Sequence, residues 1–200
     1  MNAVPKTTLG LQLPTDPRWA GAAQMKLEDI LTDHAYCEQK AASSMISMIQ
    51  MHPEREDIVD ALAPIVSEEW GHFRAVLAQI KKRGFKLGMQ RKDDYVKLLQ
   101  QARHKGGDRK ALLLDQLLMC AMIEARSCER FRVLSLELED QELAQFYHGF
   151  MVAEAGHYKL FIKLAKQYFT DEEVADRWQY WLDYEAEIMK QYAARPDRMH

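Results

Sequence analysis

The tetrapeptide Glu-x-Gly-His occurs twice, as Glu69-Trp70-Gly71-His72 and Glu154-Ala155-Gly156-His157, and each copy follows a lone glutamate, Glu38 or Glu124. The intervals from Glu38 to Glu69 and from Glu124 to Glu154 are 31 and 30 residues, each with a turn signal near its midpoint, at His52-Pro53 and Glu139-Asp140. Each half therefore reads as a helical hairpin, with its acidic positions ~15 residues, roughly 22 Å at helical rise, from the loop. Paired positions come to the same height.

The apolar seams point the same way. Apolar residues recur at mixed three- and four-residue steps, and the acidic residue falls inside each series. Leu31, His34, Glu38, Met45 and Met48 share the first seam, and Leu62, Val66, Glu69, Phe73, Val76 and Ile80 the second. The third carries Leu113, Leu117, Ala121, Glu124, Cys128 and Phe131, and the fourth Phe146, Phe150, Glu154, His157, Phe161 and Leu164. Four glutamates thus point into a core, where an unpaired carboxylate costs several kcal/mol. With two neutral histidines they carry a formal charge of −4, which two divalent cations cancel. Residues i and i+3 share a helix face, so each Glu-x-x-His offers a metal one oxygen and one imidazole nitrogen. One Glu from each of two helices and Glu-x-x-His from the other two is the known constellation of ferritin-like di-iron and di-manganese carboxylate proteins, and this sequence matches it.

Two glutamates compete for these places. Glu68 also shares a face with His72, but symmetry with Glu154 favours Glu69. Glu129 is only 25 residues from Glu154, the wrong height, and reads as a surface charge. His34, one turn before Glu38, reads as hydrogen-bonded core and not as a seventh ligand.

A chain of 200 residues with six prolines and nine glycines suits one domain, 1–200, of long helices. Expected are an irregular arm over 1–21, then helices near 24–51, 54–83, 94–104, 108–137, 140–168 and 171–194. The fold class is all-α, two helical hairpins joined by a long crossover to form a four-helix bundle, with an extra terminal helix. Pro64 is expected to bend its helix. Trp178, Trp181, Tyr184 and Ile188 make the last helix an amphipathic brace. Cys37, Cys120 and Cys128 form no Cys-x-x-Cys pair and read as reduced thiols. With no signal peptide or membrane span in evidence, the expected location is the cytoplasm.

The net charge of −3 hides an uneven distribution. Between Lys81 and Lys110 stand eleven basic residues, Lys81, Lys82, Arg83, Lys86, Arg91, Lys92, Lys97, Arg103, Lys105, Arg109 and Lys110, against Asp93, Asp94 and Asp108. This crossover, 81–110, suits a polyanion, since phosphate contacts dominate nucleic-acid affinity. The alternative is a solvated linker that aids solubility.

Hard oxygen donors with two imidazoles suit iron, or less well manganese, better than zinc. Such a pair can activate O₂ and oxygenate a C–H bond; without an organic substrate it can oxidise iron or consume peroxide.

The residues around the donors narrow this choice. Leu31-Thr32-Asp33-His34-Ala35-Tyr36-Cys37-Glu38-Gln39-Lys40-Ala41-Ala42, Glu68-Glu69-Trp70-Gly71-His72-Phe73, Ile123-Glu124-Ala125-Arg126-Ser127-Cys128-Glu129-Arg130-Phe131 and Glu154-Ala155-Gly156-His157-Tyr158 resemble the ferritin-like tRNA hydroxylases that act on 2-methylthio-isopentenyl adenosine beside the anticodon. The resemblance covers nearly the whole chain. It implies a non-haem di-iron monooxygenase that hydroxylates the isopentenyl side chain, with O₂ as co-substrate and electrons from a reductase or ferredoxin-like donor. It further implies Glu38, Glu69, His72, Glu124, Glu154 and His157 as iron ligands and catalytic residues. Lys81, Lys82, Arg83, Lys86, Arg91, Lys92, Arg103 and Lys105 would contact tRNA. Larger di-iron hydroxylases often carry an Asp before each Glu-x-x-His. That Asp orients a histidine from outside the ligands; Glu68 can do so here but Ala153 cannot, which leaves Asp33, Glu129 and Tyr158 as candidates for the partner of one histidine. Phe73, Phe131, Phe150 and Met151 are candidates for an apolar channel, and Gly71 and Gly156 for close approach of a neighbouring helix. Two rivals stand beside this reading: a ferroxidase or peroxidase of the rubrerythrin sort, and an RNA-binding protein whose metals only staple its helices.

Overall fold

The computed structural model describes residues 9–92 and 94–191. Among them are seven α-helices and no strand: α1 (Arg18–Gln24), α2 (Leu27–Met51), α3 (Glu56–Lys82), α4 (Asp94–Gln101), α5 (Arg109–Glu137), α6 (Gln141–Tyr168) and α7 (Asp171–Gln191). The six expected helices are α2 to α7, with ends within a few residues; positions 1–8 of the expected arm and 192–194 of the expected last helix lie outside the described residues. The arm is not irregular throughout, because it holds α1. The Asp16 carboxylate accepts from the Arg18 backbone N–H at 2.9 Å and starts that helix, which buries Trp19, Ala20 and Ala23.

The described residues fall into two compact units. The first, 22–92, is the α2–α3 hairpin and the segment after it. Its core is the expected double seam, with Leu31, Met45 and Met48 on α2 and Ile58, Leu62, Val76 and Ile80 on α3 all buried. Helix α3 runs through Pro64 without a break. It ends where Gly84 takes φ +72°, a conformation that costs glycine nothing. There the Phe85 N–H reaches the Ile80 carbonyl and the Gly84 N–H the Lys81 carbonyl, both at 3.0 Å.

The second unit, 9–21 with 94–191, is the α5–α6 hairpin with α4 and α7. Its helix starts are capped: Asp108 accepts from the Lys110 and Ala111 N–H groups, and Asp140 from Leu143. Thr170 and Glu173 satisfy each other's backbone N–H at 3.2 and 2.8 Å, a capping box that opens α7. Helix α5 is buried around most of its circumference, because α6 and α7 both pack on it. Charges on its α7 side must therefore pair. Glu185 on α7 meets Arg126 at 2.7 Å, with both side chains wholly buried, and Arg126 also donates to the Leu13 carbonyl at 3.0 Å. Asp115 accepts from Arg177 Nε at 2.6 Å, Trp181 Nε1 at 3.2 Å and His104 Nδ1 at 2.7 Å. The Arg130 guanidinium lies 4.2 Å over the Trp19 ring.

Glu129 belongs to this buried set, which corrects its expected place at the surface. It is 0% exposed. Arg132 holds it through two hydrogen bonds, at 2.9 and 3.0 Å, and the Thr15 N–H adds a third at 3.3 Å. Its helical period resembles that of an outer face because the arm and α7 that cover α5 lie far away in sequence. No helix among the described residues is long and apolar enough to cross a membrane.

Candidate metal centre

Each unit carries one donor triad. In the first, α2 supplies Glu38, and α3 supplies Glu69 and, one turn later, His72; a carboxylate oxygen or ring nitrogen from each lies within 4.8 Å of the others. His72 Nδ1 stands 3.4 Å from both Glu38 Oε2 and Glu69 Oε2. In the second unit, α5 supplies Glu124, and α6 supplies Glu154 and His157, again within 4.8 Å of one another. His157 Nδ1 is 3.5 Å from Glu154 Oε2. All four glutamates and His157 are buried.

The neighbouring acids at 68 and 69 differ in burial. Glu69 is 1% exposed, whereas the Glu68 side chain is about half exposed and 3.9 Å from His72 Nε2. His34 is wholly buried, with Nε2 2.8 Å from Glu38 Oε1. It hydrogen-bonds that carboxylate and is not among the clustered donor residues. Close helix approach does not explain the glycines. A Cβ at Gly71 or Gly156 would meet nothing within 4 Å, and both positions are exposed.

The aromatic candidates divide. In the second unit the Phe131 and Phe150 rings, both buried, meet edge to face at 5.5 Å, and Phe146 and Tyr147 extend the cluster. Phe73, in the first unit, is half-buried and stacked on Trp70, and Met151 is half-buried. Burial pushes the Cys128 thiol up to about 12, helped by the Glu154 and Glu129 carboxylates; the thiol donates to the Met151 carbonyl at 3.3 Å.

Basic residues of the crossover differ in availability. Lys81, Lys82, Lys86, Lys92 and Lys105 are exposed. Arg83 hydrogen-bonds Gln79, Arg103 is half-buried, and Arg91 is paired with Asp29 of α2. A partly exposed pair of that kind is worth little, but it already engages the charge that sequence counting assigns to a phosphate.

The donor set fits a hard, redox-active cation. Two carboxylates and one imidazole per triad, with no thiolate among the three donors, suit iron or manganese ahead of a structural zinc. The buried negative charge gives the metal its electrostatic reason.

Comparison with known proteins agrees with this chemistry. One relative is the tRNA 2-(methylsulfanyl)-N(6)-isopentenyladenosine(37) hydroxylase of Pseudomonas putida, 37% identical over 182 residues, or 88% of this chain and 84% of that protein. The hydroxylase of the same name from Salmonella typhimurium is 27% identical, covering 94% of this chain and 85% of its own. Among solved structures, "Protein 43 with aldehyde deformylating oxygenase activity" from Synechococcus superposes with a TM-score of 0.88 at 32% identity, covering 95% of this chain and 94% of that one. The fold is therefore the ferritin-like all-α fold. The tRNA-(MS[2]IO[6]A)-hydroxylase (MiaE) family model matches residues 2–200, and the chain belongs to that family.

Proposed function

We propose that this protein is an O₂-dependent di-iron monooxygenase that hydroxylates the isopentenyl side chain of the 2-methylthio-isopentenyl adenosine beside a tRNA anticodon. One observation carries this: both Glu, Glu-x-x-His triads are present, with their glutamates buried, in a chain whose residues 2–200 are matched by the hydroxylase family. Fold alone would not suffice, since one fold hosts several chemistries. Glu38, Glu69, His72, Glu124, Glu154 and His157 are the ligands in this reading, and 1–200 works as one domain.

When bound, the iron pair supplies reductive activation of O₂, so that one oxygen atom enters a C–H bond and the other leaves as water, with two electrons from an external reductase or ferredoxin-like donor. The residues of the chain do the rest. Glu38 is held by His34 at 2.8 Å, which fixes the carboxylate before substrate arrives. Phe131 and Phe150, buried and edge to face in the second unit, are the residues that would line the apolar path a prenyl group needs. The exposed lysines at 81, 82, 86, 92 and 105 attract the phosphates of the tRNA, together with Arg83, Arg103 and, if Asp29 releases it, Arg91. The modified base must leave its stack to be reached. Such a substrate places the enzyme in the cytoplasm.

The test is direct. Iron-loaded protein, O₂ and a reducing system are incubated with tRNA carrying the isopentenyl modification, and the nucleosides are analysed by mass spectrometry. One added oxygen on that nucleoside, derived from labelled O₂ and lost in Glu124→Ala, is expected. No product from an oxygen-reactive iron centre would overturn the assignment and leave the ferroxidase or peroxidase reading.

A further inference from the structure

Helix α3 presents an aromatic and basic face just outside the first triad. Trp70 is 47% exposed although Glu69 before it is 1% exposed. Its ring stacks on Phe73 with centroids 4.8 Å apart and planes 23° from parallel. Phe73 is half-buried and follows His72, whose side chain, 17% exposed, is the most open of the triad; Glu38 and Glu69 are at 5% and 2%. The aromatic pair therefore lies in the same helical turn as the most open residue of the triad.

A lone exposed tryptophan is ordinary on a protein surface. What sets Trp70 apart is its charge surroundings. Arg74 lies one turn further along the helix, and Lys81 and Lys82 stand beyond exposed Ala78. No acidic residue occurs from Trp70 to Lys92. At helical rise Arg74 is ~6 Å and Lys81 ~16 Å along the axis from Trp70, so the cations all stand on one side of the ring. Glu68, half exposed, stands two residues before Trp70 and so on the opposite side of the helix. A flat ring held by a second ring, with cations along one flank, is the composition of a single-stranded nucleic-acid platform.

We propose that Trp70 is the stacking platform for the substrate adenine, or for a base beside it in the loop, and that Arg74 and the Lys81–Lys82 pair take phosphates on one flank. This rests on the tRNA reading above and makes Trp70 a positioning residue of that reaction. Neither Trp70 nor Arg74 belongs to the set of contacts read from the crossover, because that basic stretch begins at Lys81.

The test uses the iron-loaded enzyme and a fluorescein-labelled anticodon stem-loop carrying 2-methylthio-N6-isopentenyladenosine, read by anisotropy, alongside the same RNA lacking the base at that position and its two neighbours. For Trp70→Ala, about tenfold weaker binding is expected, the size of one lost base stack. Trp70→Phe should restore most of it. Removing the bases should weaken binding to the wild type but add little to the Trp70→Ala loss. In turnover, Trp70→Ala should raise KM more than it lowers kcat. Arg74→Gln should reduce the salt slope of binding by about one. Equal affinity of wild type and Trp70→Ala, with the wild type binding and hydroxylating the RNA, would overturn the platform alone. A wild type that neither binds nor hydroxylates this RNA would overturn the tRNA reading and the platform with it.

Discussion

At the scale of single residues, the second unit carries two thiols whose chemistry is set by their surroundings. Burial raises Cys120 to about 12, and Cys128 reaches about 12 through burial and the nearby Glu154 and Glu129 carboxylates. A thiol reacts as thiolate, so both should be inert at neutral pH. Cys37 is half-buried. Titration of the native protein with a disulfide reagent at pH 8 should therefore modify Cys37 first and leave Cys120 and Cys128 to react only on unfolding, giving three thiols in denaturant. Fast labelling of Cys128 in the folded protein, read by peptide mapping, would contradict the environment described for it. The absence of a Cys-x-x-Cys pair indicates reduced thiols from sequence; which thiol reacts depends on burial that sequence does not carry.

At the scale of elements, α7 is held to α5 by two ionic contacts that differ from surface pairs such as Lys190 with Glu187, which are worth about 0–1 kcal/mol. Asp115 is wholly buried and gathers Arg177, Trp181 and His104. Burial alone would raise its carboxyl, but hydrogen bonds from Arg177 and His104 outweigh burial and hold it below its ordinary 3.8. A carboxyl lowered by folding contributes stability that is complete above the unfolded value and is lost as pH falls through the folded one. Its stabilisation should be intact above about pH 4 and fade below that. Asp115→Asn should cost about 3–5 kcal/mol near neutrality, because Arg177 is left without its buried counter-charge. The variant should also flatten the acid limb of a stability profile measured by urea unfolding from pH 2 to 7. An unchanged acid limb would show that Asp115 is not held low. This network is the least legible part of the fold. The hairpin helices can be read because their seams are apolar and periodic, whereas α5 is covered by α6 and α7 together and buries charges of both signs, at 115, 126, 129 and 130. From sequence those positions look like an outer face, which is why Glu129 reads as a surface charge. The short α1 escapes sequence reading for a related reason: two turns of helix give too few repeats for a period to stand out.

At the scale of the whole molecule, the duplication that makes the donors legible also creates a cost. Glu38, Glu69, Glu124 and Glu154 are all within 5% of full burial, and each triad sets two carboxylates and an imidazole within 4.8 Å of one another. Spacing suffices to find them because helix rise and period convert sequence intervals directly into height and face. The outward Trp70 has no such period to betray it. Without a cation, carboxylates in such a place are either ionised and destabilising or protonated at the expense of their pairing; a metal reverses the sign. Metal binding to the folded state alone adds its binding free energy to stability. Glu124→Gln should accordingly have opposite effects in the two states. In metal-free protein it removes one buried charge and should leave the melting temperature unchanged or raise it by a few degrees. In the presence of ferrous iron, kept anaerobic, the wild type should gain several degrees and bind two irons per chain, while the variant should gain less and bind fewer. Thermal melts and metal analysis of both proteins, with and without iron, give the four values required. Should Glu124→Gln destabilise the metal-free protein and leave the iron-induced gain intact, Glu124 would be a structural acid and not a ligand, and the second triad would have to be redrawn around Glu154 and His157.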